Sequence, residues 1–192
     1  MSAEPTGHVM WSPHPLKQRL ATYTVEDVLG LPDDAPRVEL NDGVMIVVPS
    51  PTYDHQDIAG LLWMWLRRHA PDRLRASLAT GVALSLNNTF EPDVLLVDAD
   101  TADGGRHYST ADQVTLVVEV VSPGTKRRDR MEKPAEYAAV GIPHYWRVEQ
   151  GPLHVYAYDL VGAEYQLVAD SDTELVLSAP FEIKLPIRDI TP

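Results

Sequence analysis

The chain has 192 residues, 28 of them acidic and 16 basic, for a formal net charge of -12, and it has no cysteine. That is the length of one domain, and it can bury about 70% of its unfolded surface without disulfides or a structural metal. The composition excludes disulfide frameworks, thiolate zinc centres and a cysteine nucleophile, and it suits a reducing cytoplasm. No apolar run approaches the ~18 residues of a membrane span, and the first 15 residues lack a signal-peptide pattern. The acidity argues against nucleic-acid binding by bulk charge. The average hides a pattern, however, because nine of the 16 cations fall in two stretches. These are Arg67, Arg68, Arg73, Arg75 and Lys126, Arg127, Arg128, Arg130, Lys133, which can either follow a phosphate backbone or form two solvated faces.

Residues 1–22, rich in proline and polar groups without periodicity, are expected to form an N-terminal arm, leaving 23–192 as a single domain. Thr24 ahead of Val25–Leu29 predicts a short capped helix ending at Gly30 and Pro32. Arg37–Leu40, then Asn41-Asp42-Gly43, then Val44–Val48 predicts a hairpin. Asp54 is placed to cap a long helix whose apolar stripe is Ile58, Leu61, Leu62, Trp65 and Leu66, running to Ala70-Pro71. Strands are expected near Val82–Leu86, Val94–Val97 and Val114–Val121, the last apolar on both faces as in a central strand. A loop at Ser122-Pro123-Gly124-Thr125 and the second basic stretch lead to a helix that Gly141 terminates. Short strands follow at His144–Val148, Leu153–Tyr158, Tyr165–Val168, Glu174–Leu177 and Phe181–Leu185. The fold class is α/β, with a mixed central sheet, flanking helices and C-terminal antiparallel strands.

Glu119 is the anomaly. It is an acid inside an apolar strand, where it must be protonated, paired or bound to a cation. Asp93 opens another buried-looking strand. Two such carboxylates ~4 Å apart repel by about 4 kcal/mol at an effective dielectric near 20, and a divalent cation turns that repulsion into binding. Oxygen ligation favours Mg²⁺ or Mn²⁺. Glu39, which points away from Val38 and Leu40, is either a third acid of the site or a solvent-facing strand residue. His55 is either a helix-start residue or a contact to a phosphate or metal. Asp129 either caps the following helix or pairs with Arg127 or Lys133, and Tyr137 is expected to pack.

Glu39, Pro92-Asp93, Val117–Thr125, the Asp129…Lys133…Tyr137 spacing and Gly141-Ile142-Pro143-His144-Tyr145-Trp146 together resemble the Uma-type restriction endonuclease family, a branch of the PD-(D/E)XK nucleases. The likeness runs over roughly residues 24–160, and Pro49-Ser50-Pro51 before His55 also matches. The resemblance implies a restriction-endonuclease-like core and Mg²⁺- or Mn²⁺-dependent hydrolysis of DNA. It implies metal held by Asp93, Glu119 and the Val120 carbonyl, with Glu39 as the outer acid. Position 121 is Val rather than the superfamily's Lys. Lys133 is the matching family position for the amine, with Lys126 as competitor. Pro134 is either a mid-helix kink or the helix's first residue. A homodimer would suit cleavage of both strands.

Overall fold

The computed structural model describes residues 22–32, 34–102, 108–124 and 126–192. The arm expected over 1–22 therefore lies outside the described residues except for Thr22.

Helix α1 (Val25–Leu29) starts with a capping box between Thr24 and Asp27. The hairpin β1 (Val38–Asn41) and β2 (Val44–Val47) turns through Asp42 and Gly43, both at positive φ, as a tight two-residue turn requires. Helix α2 (Tyr53–His69) is capped by Thr52, whose hydroxyl accepts from the His55 N–H, and not by Asp54. Asp54 instead sits in the first turn, where its charge suits the helix dipole. The helix ends where Pro71 forces Ala70 into extended geometry.

Strands β3 (Leu74–Leu78), β4 (Gly81–Ser85), β5 (Asn88–Phe90), β6 (Val94–Asp98), β7 (Tyr108–Thr110) and β8 (Val114–Val120) follow. Next comes a π-helical turn at Arg128–Glu132, continuous with α3 (Lys133–Ala139). Gly141, at positive φ, closes α3, and the Ile142 N–H returns to the Tyr137 carbonyl. The remaining strands are β9 (His144–Gln150), β10 (Leu153–Val161), β11 (Glu164–Ser171), β12 (Glu174–Leu177) and β13 (Ile183–Pro186).

The central sheet has the order β11-β10-β9-β8-β6-β3. Its β8–β9 pair is parallel and the other pairs are antiparallel. A second sheet, β2-β1-β5-β4-β7, holds the early hairpin, and β12–β13 form a separate ribbon. The C-terminal strands thus divide, because β10 and β11 widen the central sheet and only β12–β13 stand apart. The sequence pattern did not reveal β3, β5 or β7. The last two have three residues each, and β3 (Leu-Arg-Ala-Ser-Leu) contains no β-branched or aromatic residue.

Strand β8 is sandwiched. On one face Val118 and Val120 join Ile58, Leu62, Trp65 and Leu66 of α2 and the β12–β13 ribbon. On the other, Val117 packs with Val82, Phe90, Tyr137, Ile142 and Tyr145. Because β6 runs antiparallel to β8 with Val94 opposite Val118, the start of β6 and the end of β8 lie at one end of the sheet. Asp93 and Glu119 are neighbours for that reason.

Candidate active site

Glu39, His55, Asp93, Glu119, Val120, Arg128, Asp129 and Lys133 all line one cleft of about 240 Å³, walled on another side by the Pro49-Ser50-Pro51 bend. Asp93 precedes the first residue of β6. Its Oδ2 accepts the Val120 N–H at 2.8 Å, replacing a ladder partner that β6 does not supply. Glu119 is 3% exposed, and its Oε1 accepts from Lys133 Nζ at 2.9 Å and from the Tyr137 hydroxyl at 2.7 Å. Glu39 is 2% exposed and faces the cleft rather than solvent. It accepts from the Glu91 N–H at 3.2 Å, from Lys133 Nζ at 3.0 Å and from the Arg128 guanidinium.

Lys133 is the hub, with its ammonium between Glu119 and Glu39 and with Asp129 at 3.9 Å. Lys126 is exposed and outside the cleft. The π-helical turn explains how Lys133 arrives there. Pro134 has no N–H, and its ring would collide with the Arg130 carbonyl of a regular α-helix. The chain widens instead, and the Lys133 N–H bonds to the Arg128 carbonyl five residues back. Residues five apart on an α-helix point about 140° away from each other. On the wider turn Arg128 and Lys133 come onto one face, and both reach Glu39. Pro134 therefore lies near the start of α3 but inside a continuous helical path, which combines the two placements that its sequence context allows.

Asp129 does not cap a helix. It is buried within the π-helical turn and ion-paired to Lys133, and its carbonyl accepts from the Tyr145 hydroxyl. Tyr137 packs edge-on to Phe90 and also donates to Glu119, so it orients the acid as well as filling the core.

Charge is distributed unevenly among the acids. Burial pushes the Glu119 carboxyl up to about 8 against the pull of Lys133, and the charges of Asp93, Asp129 and Glu39 push the same way. Burial also opposes the charge on Lys133, but Glu119, Glu39 and Asp129 overcome it and raise its affinity for the proton. Burial would raise Glu39 too, yet Lys133 and Arg128 bring it below the ordinary glutamate value. Lys133 therefore stays an ammonium with Glu39 as its countercharge, while burial favours the proton on Glu119.

The donor set fits a hard cation. Asp93, Glu119 and Val120 line a cleft that has five carboxyl groups and three Lys or Arg side chains in its walls. Among the described residues no three acidic or imidazole groups close round a single point. Glu119 Oε1 is instead committed to Lys133 and Tyr137.

The two basic stretches part company. Arg128 and Lys133 turn into the cleft, while Arg130 grips Glu149. Arg67 and Arg68 lie 12 and 13 residues after His55 on α2, roughly 18 Å along its axis. Arg75 lies opposite Val97, four residues along β6 from Asp93. The first stretch is thus at the far end of the sheet, not beside the acids.

Sequence reasoning gave Arg128 no role of its own; only the five-residue spacing ahead of Pro134 could have signalled it. Comparisons with known proteins bear on the fold and the family. A solved structure, titled a "putative nuclease belonging to DUF820" from Anabaena variabilis, shares the fold with a TM-score of 0.69 and 18% identity, over 87% of this chain and 96% of that one. No curated protein matches the chain. The family model described as "Putative restriction endonuclease", Uma2, matches residues 25–188. The chain belongs to the Uma2 family.

Proposed function

We propose that this chain is a metal-dependent nuclease that hydrolyses DNA phosphodiester bonds, with Asp93, Glu119 and the Val120 carbonyl holding Mg²⁺ or Mn²⁺. The observation that carries the reading is the buried Lys133 ammonium, 2.9 Å from Glu119 at the end of the sheet where Asp93 also lies. When bound, the cation withdraws electron density from the phosphate and makes water more acidic. Lys133, held charged by Glu39, donates hydrogen bonds to the attacking water and to the developing negative charge on phosphorus. It acts by charge and position rather than as a base. Glu39 aims Lys133 and Arg128, and Arg128 meets the substrate phosphate. Water forms the new P–O bond and gives its proton to solvent, the bond to the leaving strand breaks, and the leaving oxygen takes a proton from solvent, so that the products are a phosphate monoester and a hydroxyl end.

DNA is the substrate that the family's description implies. The proposal extends to a homodimer in the cytoplasm; the dimer contact is supported by exposed Val44 and Val47 on edge strand β2 and by Leu167 and Val168 on edge strand β11. No helix of the described residues is long and apolar enough to cross a membrane.

The test is cleavage of varied DNA and RNA with Mg²⁺ or Mn²⁺ by wild type, Asp93→Asn and Lys133→Ala. Metal-dependent DNA cleavage lost in both variants supports the reading, and equal activity in all three removes it. A non-catalytic module that keeps the fold is the second reading. It is favoured by the commitment of Glu119 Oε1 to Lys133 and Tyr137. Under that reading, Mg²⁺ or Mn²⁺ would not raise the melting temperature of wild type.

A further inference from the structure

Resting on the proposed nuclease reading, we infer that Arg37 is a second phosphate-binding residue, which takes the phosphate next to the one being cut as the strand leaves the catalytic cleft. The residue lies one step ahead of β1, and its carbonyl accepts the Val48 N–H at 2.9 Å, so the hairpin pairing already includes it. Residues two apart on a strand share a face and lie about 7 Å apart. Arg37 therefore stands beside Glu39, and both line the cleft. The other two cations of the cleft, Arg128 and Lys133, are both bonded to Glu39, whereas Arg37 turns to Glu91.

That contact holds the guanidinium without using it up. Its Nη2 donates to the Glu91 carbonyl at 2.8 Å, and its Nε lies 2.9 Å from Glu91 Oε1 without the alignment of a hydrogen bond. Nη1 has no partner among the described residues. Arg130 provides the contrast, because its Nε and Nη2 close on the two Glu149 oxygens at 2.8 and 2.9 Å, the paired bonds that arginine and carboxylate favour. A guanidinium carries its N–H donors in a rigid fork. On Arg37 a carbonyl and one misaligned ion pair leave donors of that fork unspent, and the side chain is 30% exposed. An anion that accepts two bonds at once fits them, and phosphate is such a group.

Position supplies the second argument. Arg37 and Glu91 line not only the catalytic cleft but also a groove of about 260 Å³ bounded by Val28 and Leu29 of α1, by Pro36 and by Tyr108. They are the two residues common to both surfaces. A strand that passes from the cleft into the groove crosses Arg37, so its donors meet the phosphate that follows the one at the acids.

The test is fluorescence anisotropy of the full chain with a fluorescein-labelled DNA duplex over a salt series. Ca²⁺ replaces Mg²⁺ so that affinity is read without hydrolysis, and wild type is compared with Arg37→Ala and Arg37→Lys. Arg37→Ala should weaken binding about tenfold or more at low salt. It should also reduce the slope of log affinity against log salt by about one. Arg37→Lys keeps the charge but not the fork, so it should restore the slope and only part of the affinity. With Mg²⁺ or Mn²⁺, Arg37→Ala should raise KM for the duplex, while its hydrolysis of bis(p-nitrophenyl) phosphate, a diester without a neighbouring phosphate, stays within about twofold of wild type. An unchanged salt slope in Arg37→Ala, or an equal loss on the duplex and the small diester, overturns the role of Arg37 and leaves the nuclease reading standing. Loss of slope in Arg37→Ala beside a wild type that cuts nothing removes the nuclease reading and keeps Arg37 as a phosphate contact. Failure of wild type to bind the duplex overturns both. Should Arg37→Ala not fold because Glu91 is left unpaired, the double variant Arg37→Gln with Glu91→Gln removes both charges together. The same loss of slope there supports the contact, and a wild-type slope overturns it.

Discussion

The Val120 N–H donates to Asp93 Oδ2 at 2.8 Å, so one acid of the site also completes the pairing at the end of strands β6 and β8. Replacing Asp93 by alanine removes two things together, a proposed metal ligand and the acceptor for a backbone donor at the end of β8. Asp93→Ala should therefore be less stable than Asp93→Asn by about 1–3 kcal/mol, because the asparagine carbonyl can still accept that bond. Both should lose cleavage. Denaturant unfolding of the pair checks this, and equal midpoints would mean that the bond contributes nothing to the fold.

Lys133→Ala leaves Glu39, Glu119 and Asp129 facing one another without their shared countercharge. Breaking a buried pair from one side typically costs about 3–5 kcal/mol. The variant should melt well below wild type and should lose turnover more than DNA affinity. Lys126→Ala, at an exposed position outside the cleft, should change neither. Turnover lost in Lys126→Ala and kept in Lys133→Ala would transfer the role to the loop lysine.

Glu119 gives a pH signature. Its folded value is raised by burial to about 8, above the ordinary 4.5. The folded state therefore binds more protons than the unfolded state between those values. Its contribution to stability is complete below about 4.5 and is lost as pH rises through about 8. Glu119→Gln should flatten that fall, melting at or above wild type at pH 8 while abolishing metal-dependent cleavage. Parallel melting curves for the two proteins between pH 5 and pH 9 would show that the carboxyl is not protonated in the fold.

Arg128→Ala should weaken DNA binding and reduce the slope of log affinity against log salt by about one, as expected for one lost phosphate contact. Arg67→Ala, at the far end of α2, should leave that slope closer to wild type. The reverse ranking in a salt titration would put the DNA track along the distal basic stretch instead.

Much of this arrangement was legible in the chain. Glu119 stood out because alternation put an acid on one face with Val117 and Val121, in a strand apolar on both faces. The hairpin was written in Asn41-Asp42-Gly43, and the end of α3 in Gly141. Other features were not legible, for physical reasons. Glu39 follows the same alternation as a solvated strand residue, and only the packing of the helical segment over β1 turns its outer side into a cleft. The charge on Arg128 gave no hint of direction, since a basic run reads alike whether it faces water or acids. Asp129 looked like a cap because the π-helical turn, which places it inside the helical path, leaves no pattern in residue type.

That widened turn has one more consequence. Because the fan of cations on Glu39 depends on a five-residue step between Arg128 and Lys133, the segment works as a ruler, and its length matters more than its lettering. Removing a single residue from between them would shorten the step, swing one cation off its carboxylate, and leave the surrounding scaffold folded yet miswired.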